Sequence, residues 1–313
     1  MATSTPAATT ATTAKASDAP QSSWAKSRER LAWLLVLPSL LVVVLVAIYP
    51  LFQAFRLSLT NARLGSTRAT EYVGLDNYRY IFNDQSFINA IWHTVYFTVA
   101  SVALETVLGM GIALIIHSNF KGRGIVRTSM LVPWAIPTVV SAQIWKWMLN
   151  DQYGVINDLL VYRLHILDHK VVWLGNPSTA MPSMIAVDVW KTTPFMALLL
   201  LAGLQVIPGD VYEAARVDGA SKWKQFWQIT LPLLRPALLV ALIFRTLDAF
   251  RVFDVIYVMK GYAAETLTLS MYARQMMIDL SRLGRGSAAS VFIFICIGLM
   301  VIGYTRLVRV EEV

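Results

Sequence analysis

The chain has 313 residues, of which 56% are hydrophobic and only 15% charged, with a formal net charge of +8. Soluble domains carry about 25% charged residues, so this deficit excludes an ordinary water-soluble globule and fits helices that face lipid. The basic residues cluster at the ends of apolar runs rather than on one patch, which excludes a nucleic-acid surface, and the single cysteine, Cys296, excludes a disulfide framework within the chain.

Residues 1–29 are rich in Ala, Thr, Ser and Pro, and no large apolar side chain precedes Trp24. Such a stretch buries too little to offset the entropy of ordering, so it is expected to be a disordered tail. The first apolar run, 31–58, starts too late and is too long for a cleaved signal, whose apolar region is about 7–15 residues. It is expected to be a retained span, with Pro38 and Pro50 inside it. Polar residues 59–87 follow, then a second span at 90–117 and a short basic loop around Lys121 and Arg123. The third span is expected at 126–149, with Pro133 and Pro137 within it. After a polar segment the fourth span is expected at 182–206, the fifth at 233–259 and the sixth at 287–307. Residues 30–313 therefore read as one all-α, polytopic domain of six transmembrane helices.

Lys and Arg are densest in the segments that share a side with the N-terminus, including Lys26, Arg28, Arg30, Lys121, Arg123, Arg127, Lys222 and Lys224. The positive-inside rule then puts both termini and the 208–232 loop in the cytoplasm. That loop is the polar interruption between the fourth and fifth spans. Glu213, Ala214, Ala215 and Arg216 favour a short helix, Gly219 suits a left-handed stop after it, and Ser221 can cap a second short helix. Two short helices on a membrane face are offered to something outside the membrane.

Seven ionisable residues lie inside apolar runs: Glu105, Asp188, Lys191, Arg245, Asp248, Arg251 and Asp254. Each costs roughly 2.5–3.5 kcal/mol at a helix centre, so each should face the bundle interior or a wet cavity. The last four recur every third residue with alternating sign and are expected to form a slanting row on the fifth span. One reading is that these charges neutralise one another and staple the helices. The other is a polar cavity for a hydroxylated solute, with Trp134, Trp190 and Phe195 supplying stacking faces. Trp33, Trp92 and Trp145 are expected at the lipid interface. No phosphate-binding loop, catalytic triad or adequate metal-ligand set is present; the His165–His169 pair has no further ligands beside it. No catalytic residue, metal or cofactor is therefore assigned to this chain.

The segment from Glu213 to Ala220, with Ile229-Thr230-Leu231-Pro232 after it, resembles the EAA loop of binding-protein-dependent ABC importer permeases. The likeness extends to 131–138, 189–195 and 245–254, and these stretches are similar to the MalF-type carbohydrate-uptake permeases, trehalose- and maltose-type members most of all. It covers the chain from about residue 30 onward; the tail departs from it. The resemblance implies the type I importer permease fold in a bacterial cytoplasmic (inner) membrane. It implies a second permease subunit, a cytoplasmic ABC ATPase dimer that uses ATP and Mg, and an extracytoplasmic sugar-binding protein, with lipid around the spans and no nucleic acid. Glu213, Ala214, Ala215, Asp218 and Gly219 would couple the chain to the ATPase. Trp134, Thr138, Trp190, Lys191, Thr192, Phe195, Phe244, Asp248 and Arg251 would meet the solute. The expected function is translocation of a di- or oligosaccharide of the trehalose/maltose type. The alternatives are a permease for another solute, such as glycerol phosphate, or a proton-coupled secondary transporter using Asp248 and Asp254.

Overall fold

The computed structural model describes residues 23–67 and 69–309. The chain divides into two units, Met1–Gln53 and Ala54–Val313. Five helices are long and apolar enough to cross a membrane: Arg28–Ser58, Gln85–His117, Pro177–Val206, Lys222–Lys260 and Leu283–Arg306. A sixth crossing is available if the bent pair Arg123–Ala135 and Thr138–Met148 counts as one. Among the described residues the only β-pairing is a single bridge, Thr60 to Tyr72.

Most of the first unit is one helix, which begins at Ser23, inside the stretch expected as tail. Residues 1–22 of that expected tail lie outside the described residues. The helix runs through Pro38 and shifts to π geometry over Val44–Ile48, just ahead of Pro50. A proline ring clashes with the carbonyl four residues back, and a widened turn is one way to relieve it.

In the second unit the centre is the pair Gln85–His117 and Pro177–Val206. Gly109 sets their approach. A Cβ there would lie 2.7 Å from Met196 Cγ and 3.2 Å from the Ala197 nitrogen. Gly111, two residues on, faces open space, so only one of the two glycines works as a packing residue. Met110, Ala113 and Ile116 meet Met196, Leu200 and Leu204 from the fourth span and Leu234 and Ala241 from the fifth in one buried cluster. A larger cluster, toward the opposite end of these helices, gathers Phe87, Phe97, Met184, Val187, Ile256 and Tyr272.

Two expectations about the spans change. The third span is not a single straight helix: its halves meet at 91° around Ile136 and Pro137. Ile136 is extended at φ −73°, ψ 133°, and Pro137 has no N–H to continue the ladder. The fifth span also breaks. Its helix ends at Phe250, and a separate helix starts at Asp254 after an irregular turn at Phe253. The carbonyl of Val252, freed by this break, accepts from the Thr268 hydroxyl at 3.1 Å. The four-residue charge row therefore does not lie on one helix.

Candidate functional site

Arg245 is the centre of the ionic cluster. Its side chain is 2% exposed. It sits on the Leu231–Phe250 helix, where the fifth span crosses the second and fourth. The guanidinium donates through Nε to Glu105 Oε2 and through Nη2 to both Glu105 Oε1, at 2.9 Å, and Asp188 Oδ2. Through Nη1 it donates to Asp248 Oδ2 at 2.8 Å. One planar fork with five donors thus ties three carboxylates from three spans, a geometry that a lysine could not reproduce. Glu105 and Asp188 are buried; the Asp248 side chain is 68% exposed. With one guanidinium against three carboxylates, the cluster opens onto the surface through an acceptor, not a cation.

Sequence reasoning placed Glu105 in a span but not at the site. It proves to be the most deeply buried member, the partner of Arg245 from 140 residues away. Its only advance signal was its isolation in an otherwise apolar run. Thr192 closes the cluster: its hydroxyl lies 2.8 Å from Glu105 Oε1 and 2.6 Å from the Asp188 carbonyl oxygen. With one proton, it can donate to only one of them at a time.

Lys191, one residue earlier, turns away from the carboxylates. Its Nζ donates to the carbonyl of Ile136 at 2.7 Å and of Trp134 at 3.3 Å, both at the bend of the third span. Thr138 is the first residue of the second arm of that bend and is half-buried. The Trp134 ring stacks on Phe195 with centroids 6.0 Å apart and planes 11° apart. Trp190 meets Trp145 edge-to-face at 5.4 Å. Trp145, expected at the lipid interface, is instead half-buried against this wall.

Trp134, Trp190, Phe244 and Asp248 are each exposed. The expected solute residues are thus distributed over the bend, the fourth span and the fifth, joined where contacts are seen by Trp134 on Phe195, by Lys191 on the bend and by Thr192 and Asp248 at the ionic cluster. Arg251 stands apart. It caps the end of its helix, is exposed, and donates through Nε to the Leu247 carbonyl at 3.2 Å. Asp254 starts the next helix and joins none of these contacts.

At the other end of the fourth and fifth spans lies the Glu213 loop. Helix Gly209–Val217 carries Glu213, Ala214 and Ala215; Asp218 is its C-cap. Gly219 follows at φ +75°, a conformation that a side chain would strain. Ser221 then accepts from the Lys224 amide at 3.3 Å and caps the second short helix. The Tyr212 hydroxyl lies 3.0 Å from that of Thr230, at the root of the fifth span. Phe226 packs against the inner cluster of the second, fourth and fifth spans, with Trp223 and Trp227 around it. The Glu213 carboxylate is left outside. Its side chain is 72% exposed and meets only Arg216, at 3.5 Å. An exposed pair of this kind contributes little to stability.

Residues 105–310 match the family model described as "Binding-protein-dependent transport system inner membrane component". The chain is 44% identical over 288 residues to the trehalose/maltose transport system permease protein MalF of Thermococcus litoralis, covering 91% of this chain and 96% of that protein. It is 40% identical to the trehalose transport system permease protein SugA of Mycobacterium tuberculosis, covering 90% of this chain and 89% of that one. Among solved structures it is similar to a chain of a bacterial ABC transporter involved in the import of the acidic polysaccharide alginate. That match has a TM-score of 0.79 and 25% identity, and covers 91% of this chain and 98% of the other.

Proposed function

The chain belongs to the binding-protein-dependent transport system inner membrane components, and from that premise we propose that it is the permease subunit of an ABC importer for a neutral di- or oligosaccharide, of the trehalose/maltose α-glucoside type. The observation that carries the neutral cargo is the state of Arg245. Four of its five N–H groups go to Glu105, Asp188 and Asp248, and the exposed member of the cluster is the Asp248 carboxylate. A carboxylate accepts from sugar hydroxyls and repels an anion. Trp134 on Phe195 and Trp190 on Trp145 supply flat faces for pyranose rings. Thr138, Thr192, Phe244 and Arg251 are further residues assigned to the solute, and Lys191 retains one N–H beyond the two it gives to the bend. The names of the relatives in Thermococcus litoralis and Mycobacterium tuberculosis support the same class of cargo.

The mechanism follows from two surfaces at opposite ends of the same helices. An external binding protein delivers the sugar to the aromatic wall, with the partner permease closing the cavity. On the cytoplasmic side, Glu213, Ala214, Ala215, Asp218 and Gly219 present a short helix to a separate ATPase dimer, which uses ATP and Mg. That helix is joined to the fourth span at Pro208 and tied to the fifth by the Tyr212–Thr230 contact. A push on it moves both walls of the cavity as a rigid body and exchanges outward for inward access. This chain performs no bond chemistry. Both termini lie on the ATPase side of the membrane.

The second reading is an anionic cargo, which the solved relative's acidic polysaccharide suggests. One experiment separates the two. The complex is reconstituted with its binding protein, and ATP hydrolysis is measured with trehalose, maltose, glycerol phosphate and an alginate oligosaccharide. Stimulation by the neutral sugars alone supports the proposal; stimulation by the anions alone overturns it.

A further inference from the structure

Resting on the solute wall just described, we propose that Lys191 is a positioning residue for sugar transport. It holds the 91° bend of the third span and thereby fixes Trp134. The bend creates a problem that the membrane makes acute. Pro137 contributes no N–H, and extended Ile136 ends the first arm, so the last carbonyls of Arg123–Ala135 have no helical partner. Irregular backbone at membrane depth is tolerated only where protein or water supplies the missing bonds. Lys191 supplies two, to Trp134 and Ile136. It also brings a positive charge to a helix C-terminus, where the macrodipole favours one.

The same face of the fourth span holds Trp134 twice. Lys191 takes its carbonyl, and Phe195, one turn further on, takes its ring. The ring's direction is thus set by the turn that anchors its backbone. The second arm is held separately, through Lys146 Nζ on the Val258 carbonyl at 3.1 Å and through Trp145 on Trp190. Without Lys191 the second arm keeps its ties, while the first loses its polar anchor at the bend and keeps only packing, Met130 on the inner cluster and Trp134 on Phe195, so its end can shift about Ile136.

The test reads the bend directly. Cys296, the single cysteine, is replaced by Ser, and spin labels are placed at Ile125→Cys and Gln143→Cys, exposed positions on the two arms. Distances are measured by pulsed electron resonance in the full reconstituted complex. The parent should give one narrow distance. Lys191→Met should give a longer and broader distribution, and Lys191→Arg, which can still bridge two carbonyls, should restore the narrow one. In uptake assays Lys191→Met should raise KM up to about tenfold, the worth of one aromatic platform. The double variant with Trp134→Ala should be no worse than Trp134→Ala alone. A narrow, unshifted distance in Lys191→Met overturns the proposal, as do losses from Lys191→Met and Trp134→Ala that simply multiply. Where Lys191→Met fails to insert, Lys191→Leu, which also has no donor, takes its place with the same outcomes. If Trp134→Ala leaves KM unchanged, it is the solute wall that fails, and the distance measurement still decides the role of Lys191.

Discussion

Replacing Arg245 with Met removes the only cation that, among the described residues, is bonded to Glu105, Asp188 and Asp248. Four charge-assisted hydrogen bonds disappear, three of them to the buried carboxylates of Glu105 and Asp188. Each such bond is worth about 1.5–3 kcal/mol net, but the sum overstates the loss because Asp248 is exposed and regains water. Removal of one partner of a buried ion pair costs about 3–5 kcal/mol, chiefly through the charge left behind. That range is the expectation for Arg245→Met. The cost lies in the orphaned carboxylates, so a second change should recover it. Adding Glu105→Gln and Asp188→Asn to Arg245→Met leaves a neutral amide pair and should restore more than half of the loss. The assay is reversible unfolding of the purified chain by SDS titration in mixed micelles, on the single, double and triple variants. If Arg245→Met loses less than about 1 kcal/mol, or if the amide changes deepen the loss, the cluster does not hold the second, fourth and fifth spans together as described.

Three further outcomes are expected. Glu213→Lys and Gly219→Val should insert normally but lose sugar-stimulated ATP hydrolysis; Gly219→Val adds a local strain of about 1–2 kcal/mol at φ +75°. Normal uptake by Glu213→Lys in proteoliposomes would remove the coupling assignment. Trp190→Ala or Asp248→Asn should raise the KM for sugar uptake, and an unchanged KM in both would remove the solute wall. Gly109→Ala should destabilise the chain by about 1–3 kcal/mol, because its methyl meets Met196 and the Ala197 backbone. Gly111→Ala, which meets nothing, should stay within about 0.5 kcal/mol in the same SDS titration.

Much of the architecture is legible in the sequence because the membrane simplifies the problem. Apolar runs of sufficient length must be helices, and the polar loop between the fourth and fifth of them stands out against that background. The capping role of Ser221 and the left-handed Gly219 follow from local chemistry alone. What composition could not convey is where helices stop being straight. Pro38 and Pro194 are absorbed within helices, while Pro137 follows one that ends at a right angle, where outside donors meet the freed carbonyls. For Pro137 those donors sit on Lys191, more than 50 residues later. The same limit hid the partner of Arg245. An i,i+3 pattern suggested neighbours on its own helix, of which only Asp248 proved correct. Glu105 and Asp188 reach it across helix interfaces that no local period reveals. Trp145 was misplaced for a related reason: an indole near a span end suits both lipid and an aromatic neighbour, and the sequence does not show that Trp190 is beside it.

The 140-residue separation of Glu105 from Arg245 also constrains how the protein is made. Chains emerge from the ribosome at about 5–20 residues per second, so Glu105 is made roughly 7–28 seconds before the arginine. Through that interval Glu105 has no guanidinium to answer it. A lone ionisable group is poorly tolerated in hydrocarbon. The strongly apolar remainder of the second span has to carry that cost, about 2.5–3.5 kcal/mol, until the fourth and fifth spans arrive. The contact that joins the second span to the fifth is therefore among the late ones to form, and it cannot precede synthesis of Arg245.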